Sequence, residues 1–469
     1  MSTNRRDVLA GLGTMASLLA STSLRAVARP PAVRPNFVFI MADDLGYADL
    51  SCTGSSHIKT PAIDSLARDG VQLDQAYANA PICSPTRTAL LTGCYQYRFP
   101  IGLEEPLGPG APAGIGVPRD RPTLASVLRD RGYATKLIGK WHLGEPPKEG
   151  PLQHGYDEFF GVVEGAADYF RHKIVVGGKE VGMGLARGDT PVTVDGYATD
   201  LFGDEAVRTI EQAGENAGNR PFLISLHFTS PHWPWEGRED AALAQSLDSS
   251  FDYAGGSLAK YKEMVEAMDQ NVAKVLAALE RTGQADNTVV VFTSDNGGER
   301  FSQTWPYVGH KGELLEGGVR VPVVMRWPGR IAPGSTCDQT MMSMDYLPTF
   351  LTMAGGDVAR AGRFDGVDLS AQLTGAAPSF ARTLYWRYKA NDQAAIRQGN
   401  WKYLRLGGKE HLFDLAADAH EQADHALDQP ARLRALRLEW DAWNAQMLPY
   451  PLGSYSEDLR LHYPDRYAD

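Results

Sequence analysis

At 469 residues and 43% hydrophobic content, the chain is longer than one typical domain and has enough apolar material for a large core, which excludes disorder over most of its length. Its 46 basic and 57 acidic residues leave a formal charge of −11, so a general nucleic-acid surface is excluded and any anionic ligand must be held by a local cationic cluster against the overall field. The cysteines at 52, 83, 94 and 337 are too few for a disulfide scaffold and lack zinc-site spacing.

The chain opens with Asn4-Arg5-Arg6-Asp7, a modestly apolar run from Val8 to Ala20, and Ala26-Val27-Ala28, a small-residue cleavage pattern. This is the layout of an export signal, and the paired arginines favour the twin-arginine route over general secretion. Gly and Ser interrupt the run too often for a stable membrane anchor. The export machinery is therefore expected to remove residues 1–28 near Ala28, leaving a periplasmic or secreted protein.

The next run, Asn36-Phe37-Val38-Phe39-Ile40-Met41, reads as a buried strand delivering Asp43 and Asp44 at its carboxyl end. Cys83-Ser84-Pro85-Thr86-Arg87 follows, and the Gly- and Pro-rich stretch from Pro100 to Pro118 reads as a long loop that can wall a cleft. Thr123 to Arg131 carries Leu124, Val127 and Leu128 on one face, and Tyr261 to Leu279 carries Met264, Val265, Met268, Val272, Val275 and Leu276; both predict sheet-covering helices. Pro221 to Phe228 and Val321 to Trp327 read as strands, as does Asn287 to Phe292, which ends in Thr293-Ser294-Asp295-Asn296-Gly297-Gly298. Strands alternating with helices indicate an α/β fold. Because ligands in open α/β sheets sit beyond the carboxyl ends of strands, the tips bearing Asp43-Asp44 and Asp295-Asn296 are expected to converge. From about Ser379 the texture changes to short strands at 383–386, 395–397 and 401–404, then a Leu-rich helix from Ala431 to Trp443. This places a catalytic domain at 29–378 and a smaller domain at 379–469, whose Tyr- and Pro-rich tail from Leu448 to Tyr467 either closes over the cleft or straps that domain.

Singly, these motifs are ordinary: a Cys beside a turn proline, or an Asp pair capping a helix. Their order is specific. Cys83-Ser84-Pro85-Thr86-Arg87 fits the CxPxR pattern, and Gly139-Lys140-Trp141-His142-Leu143-Gly144 a second signature. Pro231-His232, Ser294-Asp295-Asn296-Gly297, Lys311 and Glu316-Gly317-Gly318-Val319-Arg320-Val321-Pro322 follow, with Asp345-Tyr346-Leu347-Pro348-Thr349 and Leu412-Phe413-Asp414-Leu415 as lesser marks. From Asn36 to about Asp418 the chain resembles the type I, formylglycine-dependent sulfatases of the alkaline-phosphatase superfamily.

The resemblance implies a large α/β domain with a mostly parallel or mixed central sheet flanked by helices, and a small C-terminal α+β subdomain with a short antiparallel sheet. It implies that a formylglycine-generating maturase converts Cys83 to an aldehyde, whose hydrate attacks sulfur with one hydroxyl and expels sulfate when the other is deprotonated. It implies one Ca²⁺, in preference to Mg²⁺, on Asp43, Asp44, Asp295, Asn296 and the oxygen derived from Cys83; these are hard donors suited to such a cation. Lys140 and Lys311 would contact sulfate, and Arg87 would orient the nucleophile and its carboxylates. By the same analogy His142 would take the proton from the adduct and His232 donate to the departing alcohol.

Other residues are read from the chain itself. His310, next to Lys311, either contacts substrate or packs. Trp233, with Trp235, either stacks on a sugar or fills the core. Glu316 and Asp49 are expected to support loops, and His57, His154 and His172 to make ordinary polar contacts. The expected activity is hydrolysis of a sulfuric ester, with a sulfated saccharide preferred as substrate. The other readings are an arylsulfatase, a phosphonate or phosphate ester hydrolase on the same metal platform, and a sulfated-glycan binder if Cys83 stays a thiol.

Overall fold

The computed structural model describes residues 34–108, 114–215, 220–251 and 255–451. The expected export signal and the outer part of the C-terminal tail lie outside the described residues. Ten strands form the central sheet: β1 (Asn36–Ala42), β2 (Val71–Leu73), β3 (Ala134–Gly139), β4 (Glu158–Val162), β5 (Leu185–Arg187), β6 (Thr190–Pro191), β7 (Phe222–His227), β8 (Thr288–Ser294), β9 (Val323–Arg326) and β10 (Ser335–Cys337). Their order is β10-β2-β9-β8-β1-β7-β3-β4-β5-β6. The neighbours β8, β1, β7, β3 and β4 are parallel, while β9 and β5 pair antiparallel on either side of them.

The apolar runs form strands because the sheet is covered on both faces. Along β1, Phe37, Phe39 and Met41 join one cluster with Val289, Val291 and Leu137, while Val38, Ile40 and Ala42 join the other with Val290, Phe292 and Ile138. Burying each such side chain stabilises the fold by about 1.5–3 kcal/mol. Helix α1 (Pro61–Arg68) precedes the Cys83 helix, α2 (Cys83–Thr92). Helix α3 (Leu124–Arg129) covers the first face and α5 (Leu258–Arg281), beside α4 (Ala198–Glu215), the second. Thr123 proves to be the N-cap of α3, accepting from Ser126 N at 3.0 Å, and Ser257 caps α5 four residues before its predicted start at Tyr261. Strand β9 is shorter than predicted because Val321 N donates instead to Ala76 O.

The C-terminal sheet has four antiparallel strands, β11 (Thr383–Tyr388), β12 (Gln393–Gln398), β13 (Trp401–Leu406) and β14 (Lys409–Asp414). Three were predicted; β14 is half polar, so its sequence carries little strand signal. Helix α6 (Tyr346–Met353) packs Tyr346, Leu347 and Phe350 onto the first face of the central sheet, and α7 (Pro430–Asn444) packs Leu436, Trp440 and Trp443 into one cluster with Leu384, Trp386 and Leu404. Trp386 Nε1 donates to Ala78 O at 2.9 Å, tying this sheet to the segment leading into α2. Among the described residues no helix is long and apolar enough to cross a membrane.

Register decides what meets what. Ala42 of β1 is level with Ser294 of β8, and Met41 with His227 of β7, itself level with Gly139 of β3. Four adjacent parallel strands therefore release Asp43-Asp44, Asp295-Asn296, the Ser230–His232 turn and Lys140 along one edge.

Candidate active site

Cys83 is the first residue of α2, after an extended Ile82. Pro85 fits in that first turn because the amide hydrogen it lacks would have no helical partner there. Arg87, four residues on, shares the face of Cys83. Its Nε and Nη2 donate to Asp295 Oδ2 at 3.0 and 2.8 Å, and its Nη1 to Lys140 O at 3.2 Å. The CxPxR spacing thus places a thiol and a guanidinium side by side over the strand ends.

Asp44 and His142 both adopt left-handed backbone, at φ 65° and 60°, which costs a non-glycine residue of order 1–3 kcal/mol. The site supplies restraints. Asp44 N donates to Asp295 Oδ1 at 3.2 Å, and Asn296 Nδ2 to Asp44 Oδ1 at 2.8 Å. Lys140 Nζ lies 2.6 Å from Asp43 Oδ2, and Lys311 Nζ lies 2.7 Å from Asp44 Oδ2 and 3.2 Å from Glu299 Oε2. Gly139 is required before Lys140: its φ is 99°, and a Cβ there would come within 1.8 Å of His227 O.

The two histidines are held as opposite tautomers. His232 Nδ1 donates to Trp233 O at 2.7 Å, turning Nε2 towards Lys311 Nζ at 3.4 Å and Asp44 Oδ2 at 3.5 Å. His142 Nε2 donates to Leu107 O at 2.7 Å, and its buried Nδ1 has no hydrogen-bond partner. Leu107 belongs to the predicted long loop, which does wall the site: a cavity of about 310 Å³ is lined by Leu107, Ile115, His142, Lys148 and Glu164 among others.

Burial dominates the electrostatics. It pushes the Cys83 thiol well above its ordinary value; Lys140 opposes this, and the three nearby aspartates add to it. The unmodified thiol is therefore un-ionised and a poor nucleophile. Burial raises Asp43 to about 8 despite Lys140. At Asp44 burial also pushes upward, but Lys311 and Lys140 outweigh it and hold the carboxyl low. Burial, reinforced by Lys140 at His142 and by Lys311 at His232, keeps both imidazoles neutral.

Donor atoms of Asp43, Asp44, Cys83 and His232 lie within 4.8 Å of one another. Among the described residues Asp43 Oδ1, 3.7 Å from Arg87 Nη2, and Asn296 Oδ1 are buried without hydrogen-bond partners, whereas buried oxygens are nearly always satisfied. Two bare hard oxygens beside two aspartates fit a divalent cation of the calcium or magnesium kind.

The remaining expected residues lie around this centre. Lys311 is inside it, while His310, half-buried, places its Nδ1 3.1 Å from Lys311 O and 3.8 Å from Glu313 Oε2. Trp233, only 6% exposed, packs its ring against His232 and Phe251, and Trp235 packs against Phe301; both fill the core. Asp49 accepts from Gly46 N, Tyr261 Oη, Ser302 Oγ and Gln303 N, and so braces loops. Glu316 accepts from Tyr77 Oη, Arg320 Nη1 and Lys402 Nζ at 2.7, 3.2 and 2.9 Å, linking the C-terminal sheet to Tyr77 and Arg320. His57 is exposed, His172 Nε2 donates to Gly196 O at 3.0 Å, and His154 stacks on Trp141. Sequence reasoning missed Glu299 and Tyr169. Tyr169 Oη donates to Thr229 O at 2.8 Å and His232 O at 2.9 Å, so it holds the turn that carries His232. Glu299 follows Asp295-Asn296-Gly297-Gly298 and offered proximity in sequence; Tyr169 offered nothing.

Comparison with known proteins agrees with this geometry. The Sulfatase family profile matches residues 35–356, and a profile described as N-sulphoglucosamine sulphohydrolase, C-terminal, matches 310–435. Mouse (Mus musculus) steryl-sulfatase is 35% identical over 83% of this chain and 74% of its own, and mouse N-acetylgalactosamine-6-sulfatase is 31% identical over 82% and 74%. The crystal structure of Ps i-CgsB in complex with k-i-k-neocarrahexaose superposes with a TM-score of 0.79 at 29% identity, covering 92% of this chain and 97% of that one. A profile match over most of the chain, joined to relatives at this identity and coverage, makes the protein a member of the sulfatase family, hydrolases of sulfuric esters.

Proposed function

We propose that this sulfatase removes sulfate from a carbohydrate hydroxyl, using formylglycine made from Cys83 and a calcium ion held by Asp43, Asp44, Asp295 and Asn296. The observation that carries the reading is the buried meeting of Cys83, two aspartates and His232 within 4.8 Å, flanked by Lys140 and Lys311. The saccharide preference is supported by the N-acetylgalactosamine-6-sulfatase relative and by the neighbour bound to a neocarrahexaose. The buried Trp233 and Trp235 lend it no support.

As a hydrate, the modified side chain supplies a hydroxyl for attack on sulfur, which a buried un-ionised thiol does not. The cation, when bound, supplies charge that polarises the sulfate oxygens. Lys140 and Lys311 exchange their aspartate partners for sulfate oxygens, stabilising negative charge in a water-poor site. The bare Nδ1 of His142 accepts a proton, since its Nε2 is committed to Leu107 O. Bound sulfate offsets the charge of Lys311, raising the proton affinity of His232 Nε2, which takes up a proton from solvent and then donates it to the leaving oxygen. Arg87 holds Asp295 and the Lys140 carbonyl in register. The amino-terminal layout supports export to the periplasm, with the maturase meeting the chain beforehand.

Peptide mass spectrometry over Cys83, with a panel of defined sulfated mono- and oligosaccharides, tests this. The expected results are the mass loss for thiol to aldehyde and sulfate release from at least one saccharide. Full activity with an intact thiol overturns the nucleophile, and release from aryl esters alone overturns the saccharide assignment.

A further inference from the structure

We propose that the arginine-lined groove along α3 is a second binding site, which holds a length of sulfated glycan chain beyond the reacting sulfate; this rests on the saccharide reading above. The groove encloses about 780 Å³ and is lined by Arg119, Arg121, Arg129, Arg131 and Arg360 against Asp120, Asp130 and Asp357. Among the described residues only Arg360 of these five forms an ion pair, at 3.7 Å from Asp357. Arg119 donates to Lys148 O at 2.6 Å, Arg131 to Ala354 O and Gly355 O at 3.2 and 2.7 Å, and Arg121 to Cys94 Sγ and Arg363 O.

A carbonyl partner fixes a guanidinium without cancelling its charge, so the groove gathers positive potential on a chain of net charge −11. His154, in the groove wall, is buried with Nε2 lacking a hydrogen-bond partner; burial and the neighbouring Arg119 push it down to about 4, so it adds a neutral polar group. Planar guanidinium forks match the oxygens of sulfate esters, and a row of them suits a repeating polyanion.

Location joins the groove to the chemistry. Lys148, whose carbonyl Arg119 holds, also lines the cavity beside His142. The Arg119–Lys148 contact is thus the strip across which a saccharide with its reacting sulfate at the strand ends would reach the groove. Arg121 and Arg131 staple loops, whereas Arg119, Arg129 and Arg360 are exposed; Arg119 still holds Lys148 O and Arg360 faces Asp357, each keeping an exposed guanidinium that a ligand can reach.

The test compares the full-length enzyme with the R119A/R129A/R360A variant, using p-nitrophenyl sulfate to read the reaction and dextran sulfate titration to read the groove. The expected result is aryl sulfate turnover within about twofold of wild type, with dextran sulfate bound roughly tenfold more weakly and with a shallower salt dependence. Equal affinity in the two proteins overturns the proposal. Polyglutamate of matched length should compete roughly tenfold worse than dextran sulfate, because a carboxylate row lacks the sulfate spacing; equal competition overturns the sulfated glycan as occupant. Should the triple variant fail to fold, Arg129→Ala alone is expected to weaken binding about threefold, and no change would overturn the site. A wild type that binds dextran sulfate through these arginines yet desulfates no saccharide sinks the substrate reading and leaves the groove standing. Saccharide turnover with undiminished dextran sulfate affinity in the variant sinks the groove alone.

Discussion

Each site histidine spends one ring nitrogen on a backbone carbonyl, and that choice fixes what the other can do. His232 keeps Nε2 beside Lys311 and Asp44, facing the space where a leaving oxygen must depart. His232→Ala is therefore expected to cut kcat about 10²–10⁴-fold on alkyl or sugar sulfates but less than tenfold on p-nitrophenyl sulfate, whose phenolate leaves without a proton. Equal losses on both would falsify the proton-donor role. Cys83→Ala is expected to abolish turnover on every ester while leaving the fold intact, checked by sulfate release and by the melting temperature. At this scale much was legible: CxPxR spacing on a helix puts Cys83 and Arg87 on one face whatever the rest of the fold does. Glu299 and Tyr169 were not, because a carboxylate or a phenol acquires its role from a partner distant in sequence.

Between elements, the segment after β4 braces the turns that carry His142 and His232. Val163 O accepts from His142 N at 3.0 Å, and a Cβ on Gly165 would come within 2.3 Å of the His142 ring. Tyr169 holds the carbonyls of Thr229 and His232. Tyr169→Phe removes both bonds and is expected to lower stability by about 1–2 kcal/mol. It should lower kcat more on poor leaving groups than on activated ones, since it acts through His232; a uniform loss across leaving groups would point to a merely structural tyrosine. The second brace is Lys402 on β13, buried between Glu316 and Glu421 at 2.9 Å from each. Lys402→Met leaves the buried Glu421 without its cation and Glu316 with Arg320 alone, and is expected to cost about 3–5 kcal/mol in denaturant unfolding. Strands β1, β7 and β8 and helices α3 and α5 were readable from hydrophobic pattern; β3, β4, α4, β14 and the edges of β9 were not, because their short or mixed runs take their structure from the partners they pair with or pack on.

Across the whole molecule, acid should weaken the fold through carboxylates such as Glu205. Burial pushes Glu205 upward, but Arg187 and Lys136 outweigh it and hold it at about 2, below its ordinary 4.5. A depressed folded pKa contributes stability above pH 4.5 that is lost as pH falls towards 2. Glu205→Gln is thus expected to flatten the fall of melting temperature over that window, and an unchanged slope would remove Glu205 from the account. Chelation of divalent cations is expected to lower both activity and melting temperature, with calcium restoring both, because bare Asp43 Oδ1 and Asn296 Oδ1 would regain a partner. The linear chain by itself determined the α/β class, the buried strands and the ordered motifs of the family, since these depend on local periodicity and on residues close in sequence. Only the tertiary structure decided that four parallel strand ends stand level, which nitrogen of each histidine is free, that Trp233 and Trp235 are core, and that scattered arginines line one groove. Those facts follow from strand register and side-chain packing, which join residues as far apart as Ala42 and Ser294 and leave no periodic trace in the sequence.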